Sequence, residues 1–392
     1  MLNQNLNFHN SKDTIEESVD VLIVGAGPAG LSLALHLIQK SLDWVPRIII
    51  IEKRIHPRKK LCGGALSIPA MEVLENLQIE PPNDIFSVNE IRVRYGNIGY
   101  SLKGKPVLKI VNRASFDHFL LENIRAKGVK ILEDTTFLSA KMNSNGYNVE
   151  TSRGRIDCRT LVGADGSSSL VRKSIGLKYD NTVCRLLEVL TPCRKEDEYL
   201  FDQKFVDLDF RSMRSGMQGY YWDFPSIVNG QRMINRGIFD SRTNTSRVKA
   251  DLKNILQDSL LKRGIHLENC DLQGHPLHSW ENKIPISREN ALLIGDAAGG
   301  DPLFGEGISF ALGYGQSAAT VIEKAFMMKI FTFDDYSKTL LRNNLFRHLK
   351  FRSTISKIAY SIESNMILKF GWILVSIIFK IFRFDNPFYI KK

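Results

Sequence analysis

Three short stretches set glycine beside residues able to hold phosphate or move a proton. Gly25-x-Gly27-x-x-Gly30 lies in VDVLIVGAGPAGLSLALHLIQK (19–40) and is followed by an acid, Glu52, at the end of RIIIIEK. GDAAGGDPLFGEGISFAL (295–312) places Asp296 and Glu306 among glycines just ahead of an apolar, helix-like run. KKLCGGALS (59–67) holds a single thiol, Cys62, against Gly63 and Gly64. The chemistry of the first stretch is readable. Gly25 permits a tight turn, Gly27 lets backbone approach a pyrophosphate, and Gly30 lets helix and strand pack closely. The helix N-terminus favours the phosphates, and Glu52 accepts from a ribose hydroxyl. Lys53, next in the chain, is counted among the cofactor contacts.

These residues need elements to position them. The β-branched or apolar runs before Gly25 and Glu52 read as buried parallel strands with a helix between them. Strand, glycine turn, helix, strand, acid is the order a dinucleotide site requires. That order alone does not separate FAD from NAD, but a simple NAD dehydrogenase has no use for a second glycine loop near residue 300. NRASFDHFLLENIRAKG (112–128) sets Arg113, Phe116, Asp117 and Leu120 at helical spacing. VKILEDTTFLSAKMNSNGYNVETSRGRIDC (129–158) reads as a meander of short strands, turned at NSNG (143–146) and SRG (152–154). TLVGADGSSSLVRKSIG (160–176) reads as a strand ending at Asp165-Gly166 and then a helix with Arg172.

The 392 residues leave room for two domains, and a 43% hydrophobic content fills a sizeable core. The five cysteines (Cys62, Cys158, Cys184, Cys193, Cys270) show no CxxC spacing. That argues against a zinc ribbon or disulfide framework and fits a reducing, cytoplasmic setting. The polar residues 1–18 lack the apolar core of a secretory signal and read as a flexible arm. The net charge of +11 sits mostly in the tail, where residues 321–392 hold thirteen Lys or Arg against five Asp or Glu. It implies an anionic partner there, a lipid surface or a diphosphate; no recognisable module supports nucleic acid.

GxGxxG with Glu52, Arg113-x-x-Phe116-Asp117, Asp165-Gly166 and Gly295-Asp296, in that order, resemble the FAD-dependent oxidoreductases of the p-hydroxybenzoate hydroxylase fold, over about residues 19–320. The resemblance implies FAD. Arg113 would contact its phosphates or ribityl chain, Asp165 and Gly166 would line it, and Asp296 would hold the ribityl hydroxyls. The alternative for Arg113 is a surface ion pair with Asp117. The glycines at 299–307, Gly305 and Gly307 among them, would let backbone lie against the flavin. A helix starting near Gly307 would aim its N–H groups at the ring edge where reduced flavin is negative.

Two further stretches resemble the geranylgeranyl reductase family, which reduces isolated C=C bonds in isoprenoid chains: Cys62-Gly63-Gly64 and Tyr220-x-Trp222-x-Phe224-Pro225. Ser226 stands where that family often has a Lys. Tyr220, Trp222 and Phe224 share one strand face and would form a substrate wall, with Tyr221 and Asp223 facing away. Cys62, Tyr220 and Trp222 are the catalytic candidates, with Gly63, Gly64 and the three aromatics on substrate. A thiol is mostly protonated at neutral pH, so Cys62 can serve as an acid. His56, Lys59 and Lys60 read as a solvated charge run, with cofactor phosphate as the alternative. The electron donor is NADPH or a ferredoxin, since no second GxGxxG exists. A flavin monooxygenase or halogenase is the competing reading, although Tyr220 and Phe224 depart from the halogenase Trp-x-Trp-x-Ile-Pro. A non-catalytic, membrane-associated flavoprotein is the third.

The expected fold is α/β (α+β overall): a Rossmann-like FAD domain in three pieces (19–82, 110–178 and 276–325), an antiparallel-sheet substrate domain (83–109 and 179–275) and a helical C-terminal region (326–392). In MILKFGWILVSIIFKIFRF (366–384) the apolar core is too short to span a bilayer, which takes ~20 residues. Lys369, Ser376, Lys380 and Arg383 fall on one narrow stripe of a helix, which reads as lying peripherally in a membrane interface, or docked on the protein's own body.

Overall fold

The run Ile15–Val24 (β1) is apolar enough to be buried on both faces, and it lies at the centre of a parallel sheet. The computed structural model describes residues 15–60, 62–81, 85–179 and 182–382. β1 pairs in parallel with Ile48–Ile51 (β2) and with Gly154–Gly163 (β9). Lys130–Leu132 (β6) extends the sheet beyond β2, and Ala291–Leu293 (β16) extends it beyond β9. Ser287–Arg288 (β15) closes one edge. Phe137–Asn143 (β7) and Gly146–Thr151 (β8) form the meander that leads antiparallel into β9. β1 begins at Ile15, paired to Gly154, four residues inside the stretch expected to be an arm. Residues 1–14 lie outside the described residues.

The second sheet is mostly antiparallel, in the order Gln273–His278 (β14), Val183–Pro192 (β10), Gln231–Asp240 (β13), Gly219–Val228 (β12), Phe205–Asp209 (β11), Phe86–Tyr95 (β4), Ile98–Ile110 (β5), Ala65–Ser67 (β3). β11 and β4 are its parallel pair. Its membership crosses the expected boundaries at three places, at β5 by the single residue Ile110. β3 comes from within 19–82, and β14 runs to His278. Both are short segments that a neighbouring strand edge captures, β5 for β3 and β10 for β14.

Helices Pro28–Lys40 (α1), Ile68–Asn76 (α2) and Arg113–Ala126 (α3) belong to the first half, with the short Leu170–Ser174 (α4) after β9. Glu198–Asp202 (α5) and Leu252–Leu261 (α6) flank the second sheet. Ile308–Met328 (α7) packs along α1, close enough that a Cβ at Gly315 would lie 2.5 Å from the Leu33 nitrogen. Tyr336–Arg342 (α8), Asn344–Ala359 (α9) and Asn365–Phe382 (α10) complete a helical C-terminal region. The first sheet and its helices share one large apolar core, and the inner face of the second sheet forms another.

Candidate active site

A cavity of about 590 Å³ lies between the two sheets, with the glycine loops on one side and β10, β11, β12, β14, the middle of β4 and the end of β5 on the other. At the first loop, Gly25 adopts φ +112°, and a Cβ there would lie 2.4 Å from the Ala164 carbonyl oxygen. That left-handed conformation is why the turn needs glycine. A Cβ at Gly30 would collide with the Gly25 carbonyl at 2.1 Å, whereas one at Gly27 would meet only the Arg58 Nη2, at 3.6 Å. Gly30 therefore serves packing, and Gly27 leaves an open cradle at the start of α1, where Pro28 fills the first turn. Glu52, buried at the end of β2, accepts from Ala26 N–H at 2.9 Å and Arg54 N–H at 3.1 Å. Lys53 and Arg54 line the mouth, and Arg58 binds Asp117 at 3.2 Å.

The loop before α7 divides by role. Gly295, Asp296, Gly305 and Gly307 line the cavity, and α7 starts at Ile308 with Gly307 as its N-cap. Gly299 and Gly300 do not line it. Cβ atoms there would press on the Trp280 backbone at 2.9 Å and the Leu277 side chain at 2.8 Å. Those two glycines, expected against the flavin, instead let the loop cross beneath β14. Among the described residues no hydrogen bond reaches the Asp296 carboxylate, which lines a cavity bounded by the N-termini of α1 and α7. Glu306 is held by Ser309 Oγ at 2.5 Å and by Arg352 Nη1 at 2.6 Å, and Arg352 also binds fully buried Asp301 at 2.8 Å. Burial works against the Glu306 charge, yet Arg352, Ser309 and Ser67 together hold its carboxyl below the usual range. Burial pushes the Asp301 carboxyl up in spite of Arg352.

Asp165 and Gly166 both line the cavity, but the Asp165 carboxylate is committed elsewhere. It accepts from Ser169 Oγ (2.6 Å), Leu170 N–H (2.7 Å) and Val171 N–H (3.1 Å), fastening the start of α4. Arg113 is no surface residue. Its guanidinium, 9% exposed, forks onto Asp117 with two bonds of 2.8 Å and also lines the cavity beside Cys62. Burial disfavours its charge, but Asp117 outweighs that and raises its pKa. The ion pair and the cavity contact are thus one arrangement.

Opposite the loops, Tyr220, Trp222 and Phe224 line the cavity from β12, while Tyr221 packs behind the sheet and Asp223 binds Arg236 at 2.6 Å. The Tyr220 hydroxyl donates to the Phe304 carbonyl at 2.5 Å, so its proton is already engaged and the ring serves as wall. Trp222 Nε1–H donates to Asn235 Oδ1 at 2.7 Å, which turns the Asn235 amide N–H toward Glu188 Oε2 at 3.1 Å. Gly63 approaches the Phe224 ring, and Gly64 N–H reaches Cys62 Sγ at 3.4 Å.

Sequence reasoning passed over Glu188 and His275. Both line the cavity with Lys60, Cys62 and Arg113. Lys60 Nζ lies 3.2 Å from His275 Nε2, and burial followed by the Arg113 charge lowers the Lys60 pKa. Burial and then Lys60 lower that of His275. Burial pushes up both the Glu188 carboxyl and the Cys62 thiol, the latter against the pull of Arg113. Of the expected charge run, only Lys59 is solvent-facing, paired to Asp271 at 2.6 Å; His56 is buried against Glu133. One available signal was missed: Glu188 interrupts the strand run CRLLEVLTP, and an acid within an apolar strand needs a reason.

An open cradle at one helix N-terminus, a carboxylate beyond β2, unpartnered Asp296 at a second helix N-terminus and cationic side chains at the mouth suit a long diphosphate-bridged cofactor, and they fit FAD. The fold and site define an FAD-dependent oxidoreductase. The family described as FAD binding domain matches residues 18–308, and the chain belongs to it. It is 27% identical over 366 residues to a digeranylgeranylglycerophospholipid reductase of Methanococcus vannielii, covering 88% of each chain. A geranylgeranyl bacteriochlorophyll reductase-like protein of Thermoplasma acidophilum has the same fold, with TM-score 0.74 and 22% identity over 92% of this chain and 96% of that one. So does p-nitrophenol 4-monooxygenase of Pseudomonas putida, at TM-score 0.67 and 15% identity over 95% of this chain and all of the other, 100%.

Proposed function

We propose that this protein reduces C=C bonds of an isoprenoid, geranylgeranyl-type chain. The observation that carries the reading is one cavity with an aromatic wall, Tyr220–Trp222–Phe224, facing the FAD-binding loops, and two acids, the partly buried Cys62 and the buried Glu188, lining it with them. The digeranylgeranylglycerophospholipid reductase relative supports it. Bound, reduced FAD supplies a hydride to one alkene carbon. The other carbon takes a proton, and the chain's own residues govern that half. An isolated alkene has no carbonyl to spread charge, so position decides the rate. Leu186, Val206, Leu208 and Leu277 join the aromatics to hold an apolar chain and exclude water. Burial raises the pKa of both the Cys62 thiol and the Glu188 carboxyl, which favours the protonated, proton-donating form of each. Asn235, fixed by Trp222, orients the Glu188 carboxyl. Lys60 and Arg113, with the His275 ring against Lys60, form an edge suited to an anionic head group on the substrate, in the absence of a Lys at Ser226.

The test is anaerobic. The FAD-loaded protein is reduced with dithionite, then mixed with a geranylgeranyl lipid or diphosphate, and the flavin spectrum and product mass are recorded. Reoxidation with a gain of two hydrogens supports alkene reduction. Flavin that stays reduced until oxygen enters supports a monooxygenase instead. Replacing dithionite by NADPH or by a reduced ferredoxin assigns the electron donor, for which either remains our proposal.

A further inference from the structure

Helix α10 has two apolar faces, and the protein covers only one. Leu368 is buried, Trp372 stacks on Tyr95 (centroids 5.8 Å apart, planes 5° apart), Ser376 Oγ donates to the Gly99 carbonyl at 2.5 Å, and Phe379 stacks on Tyr100 at 4.0 Å. These residues fix the helix on β4 and β5. At about 100° per residue they occupy an arc of about 80°. On the far side, Met366, Ile367, Phe370, Leu374, Ile377 and Ile381 are 79%, 54%, 68%, 50%, 47% and 67% exposed. They fill an arc of about 100° roughly opposite the docked face. A monomer in water rarely leaves such a continuous apolar face uncovered.

Charge says what covers it. Lys369 and Lys380, both exposed, fall between the two faces, where an embedded helix would hold its cations at headgroup depth. The stripe read from the sequence is therefore a rim, and its Ser376 belongs to the docked side; Arg383 lies outside the described residues. The whole segment 321–392 is strongly basic, which suits an anionic surface. Among the described residues no helix is long and apolar enough to cross a membrane. We propose that the outer face of α10 docks this protein on the interface of an anionic lipid bilayer.

The position of α10 gives that docking a use. Trp372 packs on Phe210 at 5.0 Å, and Phe210 packs on Tyr220, of the cavity wall, at 5.1 Å. β5, which α10 covers at Gly99 and Tyr100, lines the cavity at Val107 and Leu108. The bilayer would thus lie beside the apolar wall and present a lipid chain to it; this last clause rests on the proposed alkene reduction, whereas docking itself does not.

The experiment is flotation of the full-length, FAD-loaded protein with vesicles of phosphatidylcholine alone or mixed with phosphatidylglycerol. It needs no turnover, so its failure is separable from failure of the reductase reading. The protein should float with the anionic vesicles and be released by salt. Ile367→Glu/Phe370→Glu should weaken binding by roughly tenfold or more while the thermal melt and flavin spectrum stay unchanged. Lys369→Glu/Lys380→Glu should abolish the preference for anionic lipid. Failure of the parent protein to float, or equal flotation of the Glu variants, would overturn the proposal. So would a lipid-free dimer, seen by sedimentation, that Ile367→Glu/Phe370→Glu separates, since the face would then join two copies of this chain.

Discussion

Arg352 ties the C-terminal region to the loop that carries Gly305 and Gly307, and its removal tests whether α9 helps build the FAD site. Its side chain is 7% exposed, against 0% for Asp301 and 12% for Glu306. Arg352→Met leaves two carboxylates in the interior with no countercharge. Breaking a buried pair by removing one partner costs about 3–5 kcal/mol, a large share of the ~5–15 kcal/mol that holds a protein folded. The pH dependence has a definite sign. Without Arg352 both folded-state carboxyl pKa values rise above their unfolded values of about 4. The gap to the parent is then fully present above the raised pKa values and shrinks as pH falls through them, down to the parent's own folded-state values, of which that of Glu306 lies below the usual carboxylate range. The gap in urea midpoint between Arg352→Met and the parent should therefore narrow from pH 8 toward pH 5, values taken as roughly bracketing that titration. Adding Asp301→Asn and Glu306→Gln removes both stranded charges while keeping acceptors for Leu303 N–H and Ser309 Oγ. The triple variant should recover most of the stability and of the FAD retained through gel filtration. Strictly additive losses, with the triple variant worse than Arg352→Met, would refute the reasoning, because they would mean the three groups do not act as one unit.

Three other substitutions test the cavity. Gly25→Ala forces a side chain into φ +112° and against the Ala164 carbonyl; it should cost about 1–3 kcal/mol and lower the flavin-to-protein absorbance ratio after gel filtration. Glu188→Gln removes a proton that burial holds to higher pH. The single-turnover rate should lose the alkaline limb set by Glu188 and fall about 10²-fold at its optimum; an unchanged pH profile would exclude Glu188 as an acid. Trp222→Phe frees the Asn235 amide, so Glu188 loses a donor that favours its charged form. The same limb should then move to higher pH, by less than about one unit for a single hydrogen bond of ~1 kcal/mol.

The nucleotide-binding half was legible because its signals are local. β1, α1 and β2 follow from apolar runs and three glycines, and α3 and the β7–β9 meander follow from periodicity and turn residues. Local signals do not say which neighbour a residue meets. Asp165 looked like a cofactor contact, yet a carboxylate just before a helix start is equally suited to its N–H groups, and α4 takes it. Gly299 and Gly300 looked like flavin contacts, yet the same lack of a side chain lets a loop pass under β14. Glu188 showed in the sequence only as an acid within an apolar strand, and its role stayed hidden because its partners arrive by sheet register. Asn235 stands opposite Leu190 on the neighbouring strand, and Lys60 and His275 are 215 positions apart in the chain.

Ser376 shows the same limit from the other side. Helical spacing sets it beside Lys369 and Lys380, and polarity alone makes the three look like one solvent-facing stripe. The Gly99 carbonyl, at the half-buried start of β5, supplies a hydrogen-bond acceptor that the sequence cannot place. Once Ser376 turns toward β5, Leu368, Trp372 and Phe379 turn with it, since all four lie on one side of α10. The lysines are left at the edge, and the side that faces water is the one carrying Phe370 and Ile377. A helix with apolar residues on both sides has no preferred orientation until one polar contact chooses it. Here that choice decides whether the protein meets solvent or lipid, so Ser376→Ala, which removes the bond without adding bulk at a buried contact, should loosen α10 and weaken vesicle binding without changing the charge of the surface.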